Sequence, residues 1–476
     1  MPTDQDIRLY IGGYWRNTVD KIPVINPATE EVVGQVAVAG TADLDDALSA
    51  AADGFKIWSR TPPSKRAEII LHAAALMRER MEEIARDITL ENGKPLSEAR
   101  REVQRGAEFF EWDAGESVRL YGRVIPSAPG IRYIVLHEPI GPVAAFAPWN
   151  FPMSQPARKI GGALASGCSI IIKASEETPR GVIHVAKAFE DAGLPAGVLN
   201  LVFGIPATIS EFLIPRQEIR MIAFTGSTSV GKHLTEIAAR YMKPALMELG
   251  GHAPVIVCDD TDAAAAGVTS AIRKYRNSGQ VCTSPTRFFV HERVYDSFKK
   301  AFLSKAASIR CGDGMDSASQ MGPVANNRRI AALEDLVEDA RAKGAQVLLG
   351  GSRQSNKGYF FPPTVLAELP DDARAMSEEP FGPIALLNPV SSLDEAIEKA
   401  NSLPFGLAAY GFTRSAANVE RLINGIEAGN ISINTLEASV AETPFGGVKE
   451  SGLGREGGAE GLHHYMVVKN VSHQID

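Results

Sequence analysis

The sequence predicts an α/β protein of two or three domains, and three observations lead there. At 476 residues the chain exceeds what one hydrophobic core usually encloses. Its 45% hydrophobic and 22% charged residues give an ordinary soluble globular composition. Most of its length alternates strand-type apolar runs with segments of helical period, the pattern of a doubly wound parallel sheet.

Taken in order, the chain opens with short strand-like runs, RLYIGGYW and EEVVGQVAVAG, punctuated by Asn26-Pro27, Gly34 and Gly40. From Asp43 to about Gly115 apolar residues recur at threes and fours, which predicts helices broken at Gly93-Lys94-Pro95. A β-rich patch, GRVIPSAPGIRYIVLHEPIGPVAAFAP, follows. CSIIIKAS then reads as a buried strand, TPRGVIHVAKAFEDAG as a helix and VLNLVFG as a strand. IRMIAFTG is another strand, leading into a helix near Ser229. A second βα-rich region runs from HAPVIVCDD to about residue 430, and the tail HHYMVVKNVSHQ reads as a strand. No internal repeat or low-complexity linker separates these regions, so the domains are expected to pack closely.

The net charge of −8 argues against nucleic acid or an anionic membrane as the main partner. No apolar run reaches the length of a membrane span, and the polar, acidic start MPTDQDIRLY does not read as a secretory signal. The expected location is the cytoplasm. Four cysteines, at 168, 258, 282 and 311, form no C-x-x-C pair. That spacing suits neither a disulfide scaffold nor a zinc site, so no metal is expected.

Four stretches carry chemistry. FTGSTSVGKHL, Phe224 to Leu234, contains G-x-x-x-x-G-K, but His233 stands where a triphosphate loop needs a hydroxyl for Mg²⁺. A strand, a glycine turn and a helix N-terminus still form an anion site, for which a dinucleotide pyrophosphate is the better ligand. In NSGQVCTSP, Cys282 follows a helical segment from Asp262 to about Tyr275 and a turn at Gly279. A thiol at such a turn can be accessible, with its pKa lowered by local dipoles. Cys168 and Cys258 flank apolar strands and read as small hydrophobes, and Cys311 has no chemical signal around it. In MELGGHAPVIV, Glu248 precedes two glycines, where partial burial would raise its pKa towards general-base range. In APWNFP, Asn150 can offer its amide to an oxyanion or merely stabilise a turn between prolines.

With PWNFP, KASEETP, FTGSTSVG, MELGG, GQVC, EEPFGP and PFGGVKESGLGRE in this order, the chain resembles the NAD(P)⁺-dependent aldehyde dehydrogenase superfamily over essentially its whole length. The resemblance implies a Rossmann-like cofactor domain over 1–120 and 140–250 and a smaller α/β catalytic domain over 251–450. It also implies a β oligomerisation extension over 121–139 and 451–476, building a homodimer or homotetramer. Cys282 would be the nucleophile, and the Asn150 amide and the Cys282 N–H would hold the thiohemiacetal oxyanion. Glu248 would activate water to hydrolyse the resulting thioester, and Lys159 and Glu456 resemble a proton-relay pair. Trp149, Lys173, Glu176, Gly226, Ser227, Leu249, Glu379 and Phe381 fall where the family contacts NAD. A carboxylate at Glu176 suits a free ribose and repels a 2′-phosphate, favouring NAD, while Lys173 beside it leaves NADP possible.

Two arginines narrow the aldehyde. Arg158 lies eight residues after Asn150, about two turns along a helix starting near Asn150, and Arg276 lies six before Cys282. Two guanidinium groups at one pocket suit a carboxylate. These positions, with Ser439 near the register of a substrate-binding serine, resemble succinate-semialdehyde dehydrogenases. MELGGHAPVIV and GQVCTSPTRF resemble α-ketoglutarate-semialdehyde dehydrogenases. The expected substrate is therefore a small aldehyde with a distal carboxylate, oxidised to the acid. The alternatives are a broad-specificity dehydrogenase for simple aliphatic or aromatic aldehydes, a P-loop phosphotransferase, and a catalytically silent protein of the same fold. The intact set of Cys282, Glu248 and Asn150 speaks against the last.

Overall fold

The computed structural model describes residues 6–475; residues 1–5 and 476, within the ranges expected for the cofactor domain and the extension, lie outside the described residues. An eight-stranded sheet runs in the order Gly452–Leu453, Ala245–Glu248, Met221–Thr225, Val143–Phe146, Ile170–Lys173, Leu199–Val202, Leu9–Ile11, Tyr14–Arg16. Its five inner strands are parallel and almost wholly buried. That burial explains their mostly apolar sequences, because helices cover both faces; Asn200 interrupts one strand, and Lys173, Thr225 and Glu248 stand at carboxyl ends.

From Val143–Phe146 the chain builds outward through Ile170–Lys173 and Leu199–Val202. It then returns to the opposite side of Val143–Phe146 with Met221–Thr225. This reversal leaves a crevice at the carboxyl ends of Val143–Phe146 and Met221–Thr225, the place where open α/β sheets take ligands.

A second sheet has seven strands, from Gln346–Leu349 through Thr364–Ala367, Ile384–Val390, Arg287–His291, Pro254–Val257 and Ala408–Phe412 to Asn430–Ile433. All its pairings are parallel except the first. Its side chains alternate between two cores with the period of two that a pleat imposes. Ile256, Phe289 and Leu366 pack on one face, and Val255, Val257, Phe288, Val290 and Val365 on the other.

A smaller antiparallel sheet joins Met466–Gln474 to Ile131–Pro139 over nine paired residues, with Arg123–Ile125 beyond. The segment 451–465, expected in the extension, lies instead with the large sheet. Gly452 and Leu453 pair with Glu248 and Met247, and Leu462 and Tyr465 are buried in the large-sheet core. Their apolar side chains need that cover. Among the described residues no helix is long and apolar enough to cross a membrane, and no His, Cys, Asp and Glu cluster could hold a metal ion.

Candidate active site

The crevice opens into a cleft of about 430 Å³. Pro148, Trp149 and Asn150 enter it from the end of Val143–Phe146, and Thr225, Gly226 and Ser227 from the end of Met221–Thr225. Ser227 caps the helix Thr228–Arg240 by accepting from the Val230 amide, so a helix N-terminus faces the cleft. The turn is tightly seated. A Cβ on Gly226 would lie 2.3 Å from the Phe224 ring, and one on Gly231 would lie 2.2 Å from Leu249.

Lys232 points away and pairs with Glu450 at 2.7 Å, and His233 is exposed. The lysine that a triphosphate loop aims at its phosphates is committed elsewhere, which removes the P-loop reading. Leu249, Glu379 and Phe381 line the same cleft, with Phe381 edge-to-face on Trp149 at 5.6 Å between ring centroids. Burial pushes the Glu379 carboxyl up to about 8. Lys173 and Glu176 form an ion pair at 2.5 Å outside the cleft lining.

Cys282 follows an unusual piece of backbone. Asn277, Ser278 and Gly279 have φ of +48°, +55° and +71°, so two side-chain-bearing residues adopt a conformation that favours glycine. The surroundings hold them there. The Glu98 carboxylate accepts from the Asn277 amide at 2.8 Å, the Asn277 side chain donates to Asn150 O at 3.0 Å, and Ser278 Oγ donates to Gly322 O at 2.8 Å. Beyond the turn, Tyr410 Oη donates to Thr283 O at 2.7 Å.

The thiol is half-buried and lines the cleft, as an accessible thiol should, but its acidity departs from the sequence expectation. Burial, followed by the nearby Glu379 and Glu248 carboxyls, pushes the Cys282 pKa up to about 12. The Cys282 and Thr283 amides act in the expected lowering direction, and desolvation outweighs them. Cys168 and Cys258 are buried, as their strand settings predicted.

Glu248 is buried with neither carboxylate oxygen hydrogen-bonded. Desolvation, reinforced by Glu456, raises its pKa well above the ordinary carboxylate value. Lys159, fully buried, donates to Glu456 Oε1 at 2.7 Å and to Thr225 Oγ1 at 2.6 Å, linking the helix Ser154–Ser166, the large sheet and the 456 segment.

A second cavity, of about 200 Å³, reaches Cys282 from the other side. Arg158, Arg276 and Ser439 all line it. The Arg158 guanidinium lies 3.9 Å over the Phe109 ring, and its Nη2 donates to Ser439 Oγ at 2.5 Å. Its Nη1 is buried without a partner. Arg276 faces the Phe151 ring at 5.5 Å. Arg105 and Arg273 share Glu437, at 2.6 and 3.4 Å, which leaves Arg101, Arg158 and Arg276 as the cavity-lining cations without an ion pair among the described residues. Asn150 is not on the helix that carries Arg158, contrary to expectation. That helix begins at Ser154, and Asn150 precedes it in a bend between Pro148 and Pro152.

Sequence reasoning overlooked Asn326, Arg328 and Arg329 in the first cavity and Phe109, Phe151, Phe445 and Glu437 in the second. No local motif marks them. Lys94 did have a signal, the charged residue inside the Gly-Lys-Pro break between two helices, and it was read only as a helix break.

Residues 15–471 match the family described as "Aldehyde dehydrogenase family". A putative 4-(hydroxymethyl)benzenesulfonate dehydrogenase of Comamonas testosteroni is 46% identical over 464 residues, 97% of each chain. The mitochondrial succinate-semialdehyde dehydrogenase of Arabidopsis thaliana is 41% identical over 464 residues, 97% of this chain and 88% of that one. The crystal structure of succinate-semialdehyde dehydrogenase from Burkholderia pseudomallei superposes with a TM-score of 0.96 at 40% identity, over 98% of both chains.

Proposed function

The chain belongs to the aldehyde dehydrogenase family, and from that premise we propose that it oxidises a small aldehyde carrying a distal carboxylate, of the succinic or α-ketoglutaric semialdehyde class, to the acid. One observation carries the reading: Cys282 is the single residue common to the linings of both cavities. One cavity has the helix terminus and seated glycine turn that fit a dinucleotide pyrophosphate. The other has arginines without ion-pair partners, among them Arg158 and Arg276, that fit a carboxylate.

In the first cavity Gly226 and Ser227 would hold the pyrophosphate, with Trp149, Leu249, Glu379 and Phe381 along the rest of the dinucleotide. Lys173 and Glu176 would meet the adenosine ribose, with NAD favoured and NADP possible. When bound, the nicotinamide supplies the two-electron oxidant. In the second cavity Arg158, Arg276 and Ser439 would hold the distal carboxylate, and so aim the aldehyde carbon at the sulfur.

Cys282 would release its proton to solvent water in the cleft before attacking. Its sulfur then bonds to the aldehyde carbon, and the carbonyl electrons move to oxygen. The Asn150 amide and the Cys282 N–H would stabilise that oxyanion, each such donor being worth about 3–4 kcal/mol. After oxidation, a water that has given a proton to Glu248 adds to the thioester carbon, and the sulfur leaves. Lys159 and Glu456, behind Glu248, would carry the proton away. Because Glu248 must be deprotonated and burial raises its pKa, hydrolysis should fail on acidification at a pH above the ordinary carboxylate range. Glu248→Gln should retain a burst of about one NADH per active site and lose steady turnover, a split that stopped-flow absorbance reads.

A second reading concerns the anion. Phe109, Phe151 and Phe445 around the arginines would flank an aromatic ring, and one similar relative is named for a benzenesulfonate. The test is kcat/KM, followed at 340 nm with NAD⁺ and NADP⁺, for succinic semialdehyde, α-ketoglutarate semialdehyde, 4-formylbenzenesulfonate and butanal. Carboxylated aldehydes should lead butanal by about 10²-fold. A lead for the sulfonate would change the anion and keep the clamp, whereas equal rates with butanal would make the enzyme a general aldehyde oxidiser. Exposed Val124, Tyr133, Leu136 and Val468 on the small sheet support a homo-oligomer built through it.

A further inference from the structure

Lys94 and Glu102 form a buried ion pair outside the mechanism above, each side chain 1% exposed and 2.5 Å apart. Lys94 sits between the helices Met81–Asn92 and Leu96–Ser117, and Glu102 lies on the second. Both spend their remaining hydrogen bonds on one short segment. Lys94 Nζ donates to Asn150 O at 2.9 Å and lies 4.2 Å from the Phe151 ring centroid. Glu102 Oε1 accepts from the Met153 and Ser154 amides at 2.9 and 3.2 Å, where the helix carrying Arg158 and Lys159 begins.

The pair therefore grips residues 150–154 at both ends. The Asn277 side chain shares the Asn150 carbonyl, and Asn150 Nδ2 in turn donates to Gln280 O at 3.1 Å, two residues before Cys282. An ion pair in this location is a poor choice for stability alone. Desolvating two charges commonly offsets their attraction, and apolar residues of similar volume often do as well or better. What apolar residues cannot supply is a donor for the Asn150 carbonyl and an acceptor for two helix-start amides.

We propose that Lys94 and Glu102 are positioning residues that fix the 150–154 backbone so that the Asn150 amide meets the oxyanion on the Cys282 adduct. The inference rests on the reading of Asn150 given under Proposed function. Glu102 borders the second cavity with its side chain 1% exposed and engaged by Lys94 and the two amides, so the proposal requires the pair to act through Asn150 and not on the substrate.

A double-mutant comparison tests this. Lys94→Met with Glu102→Leu should leave a folded protein that binds NAD⁺ within about twofold of wild type, measured by fluorescence quenching, because apolar replacement of a buried pair is tolerated. Its kcat should fall by about 10- to 100-fold with the aldehyde KM changed less than about threefold, the sign of a donor lost in the transition state. In an Asn150→Ala background the same pair of substitutions should cost less than about twofold more, since the residue they position is gone. An unchanged kcat, or an equal loss in both backgrounds, overturns the proposal and leaves the pair structural. Should that variant not fold, Glu102→Gln, which keeps the volume, is held to the same non-additivity. An Asn150→Ala enzyme with full kcat would instead overturn the reading of Asn150, and this proposal with it, while sparing the assignment of Cys282.

Discussion

The two cavities that meet at Cys282 are built of different material. On one side the main chain shapes the phosphate end, through a glycine turn and a helix terminus, beside two aromatic side chains set edge to face. On the other side the walls are side chains, with arginines over phenyl rings and Glu437 shared between Arg105 and Arg273. A main-chain site is specified by local sequence, because only certain residues fit the turn. A side-chain site depends on residues far apart in sequence, here from positions 101 to 445. The first is therefore hard to alter without losing the fold, and the second is open to substitution.

Removing the one residue the cavities share should produce the largest effect. Cys282→Ala should lower turnover by about 10³-fold or more while NAD⁺ affinity is retained, read by steady-state rate and by cofactor titration. Turnover near wild type would dissolve the two-sided picture. Changing only the side-chain cavity should produce a smaller and selective loss. Arg158→Leu and Arg276→Leu should each cut kcat/KM for carboxylated aldehydes by about 10²-fold and leave butanal within about threefold. Parallel losses on both substrates would mean that the arginines support the fold rather than the anion.

The smallest expected effect concerns stability. Asp113 is buried, and burial pushes its carboxyl up to about 8 against the favourable pull of Arg158. Between an unfolded pKa near 4 and a folded value about 8, the native chain holds a proton that the unfolded chain has released. Stability should therefore fall as pH rises across that window and level off above it. Asp113→Asn should flatten the decline, raising Tm relative to wild type by a few degrees more at pH 8 than at pH 5. Identical pH slopes would place the proton elsewhere.

The same contrast explains what could be read from the sequence. The alternating apolar runs became the inner strands of both sheets because those strands are buried on both faces, and polar residues such as Lys173 and Thr225 come only at the ends of the runs. The glycine turn at 226 and the strand at 466–474 were legible for similar local reasons. The helix start after Asn150 was misplaced because its first free amides are met by Glu102, some fifty residues earlier, and not by a local cap. The Cys282 pKa was misjudged because desolvation is a property of the whole enclosure, while the dipoles at its turn are the only part a motif reveals. Ser439 was named, yet the arginine that holds it is 281 positions away.

Between the strand Asn430–Ile433 and the short strand Val448–Lys449 the chain forms no helix or strand, and this connection supplies Glu437, Ala438, Ser439 and Phe445 to the arginine-lined wall. Cys282, Glu248 and the glycine turn at Gly226 are all held by other parts of the fold. If Cys282 and Glu248 act as proposed, a lineage that rewrote this connection would reshape part of the arginine-lined wall while leaving both of them in place.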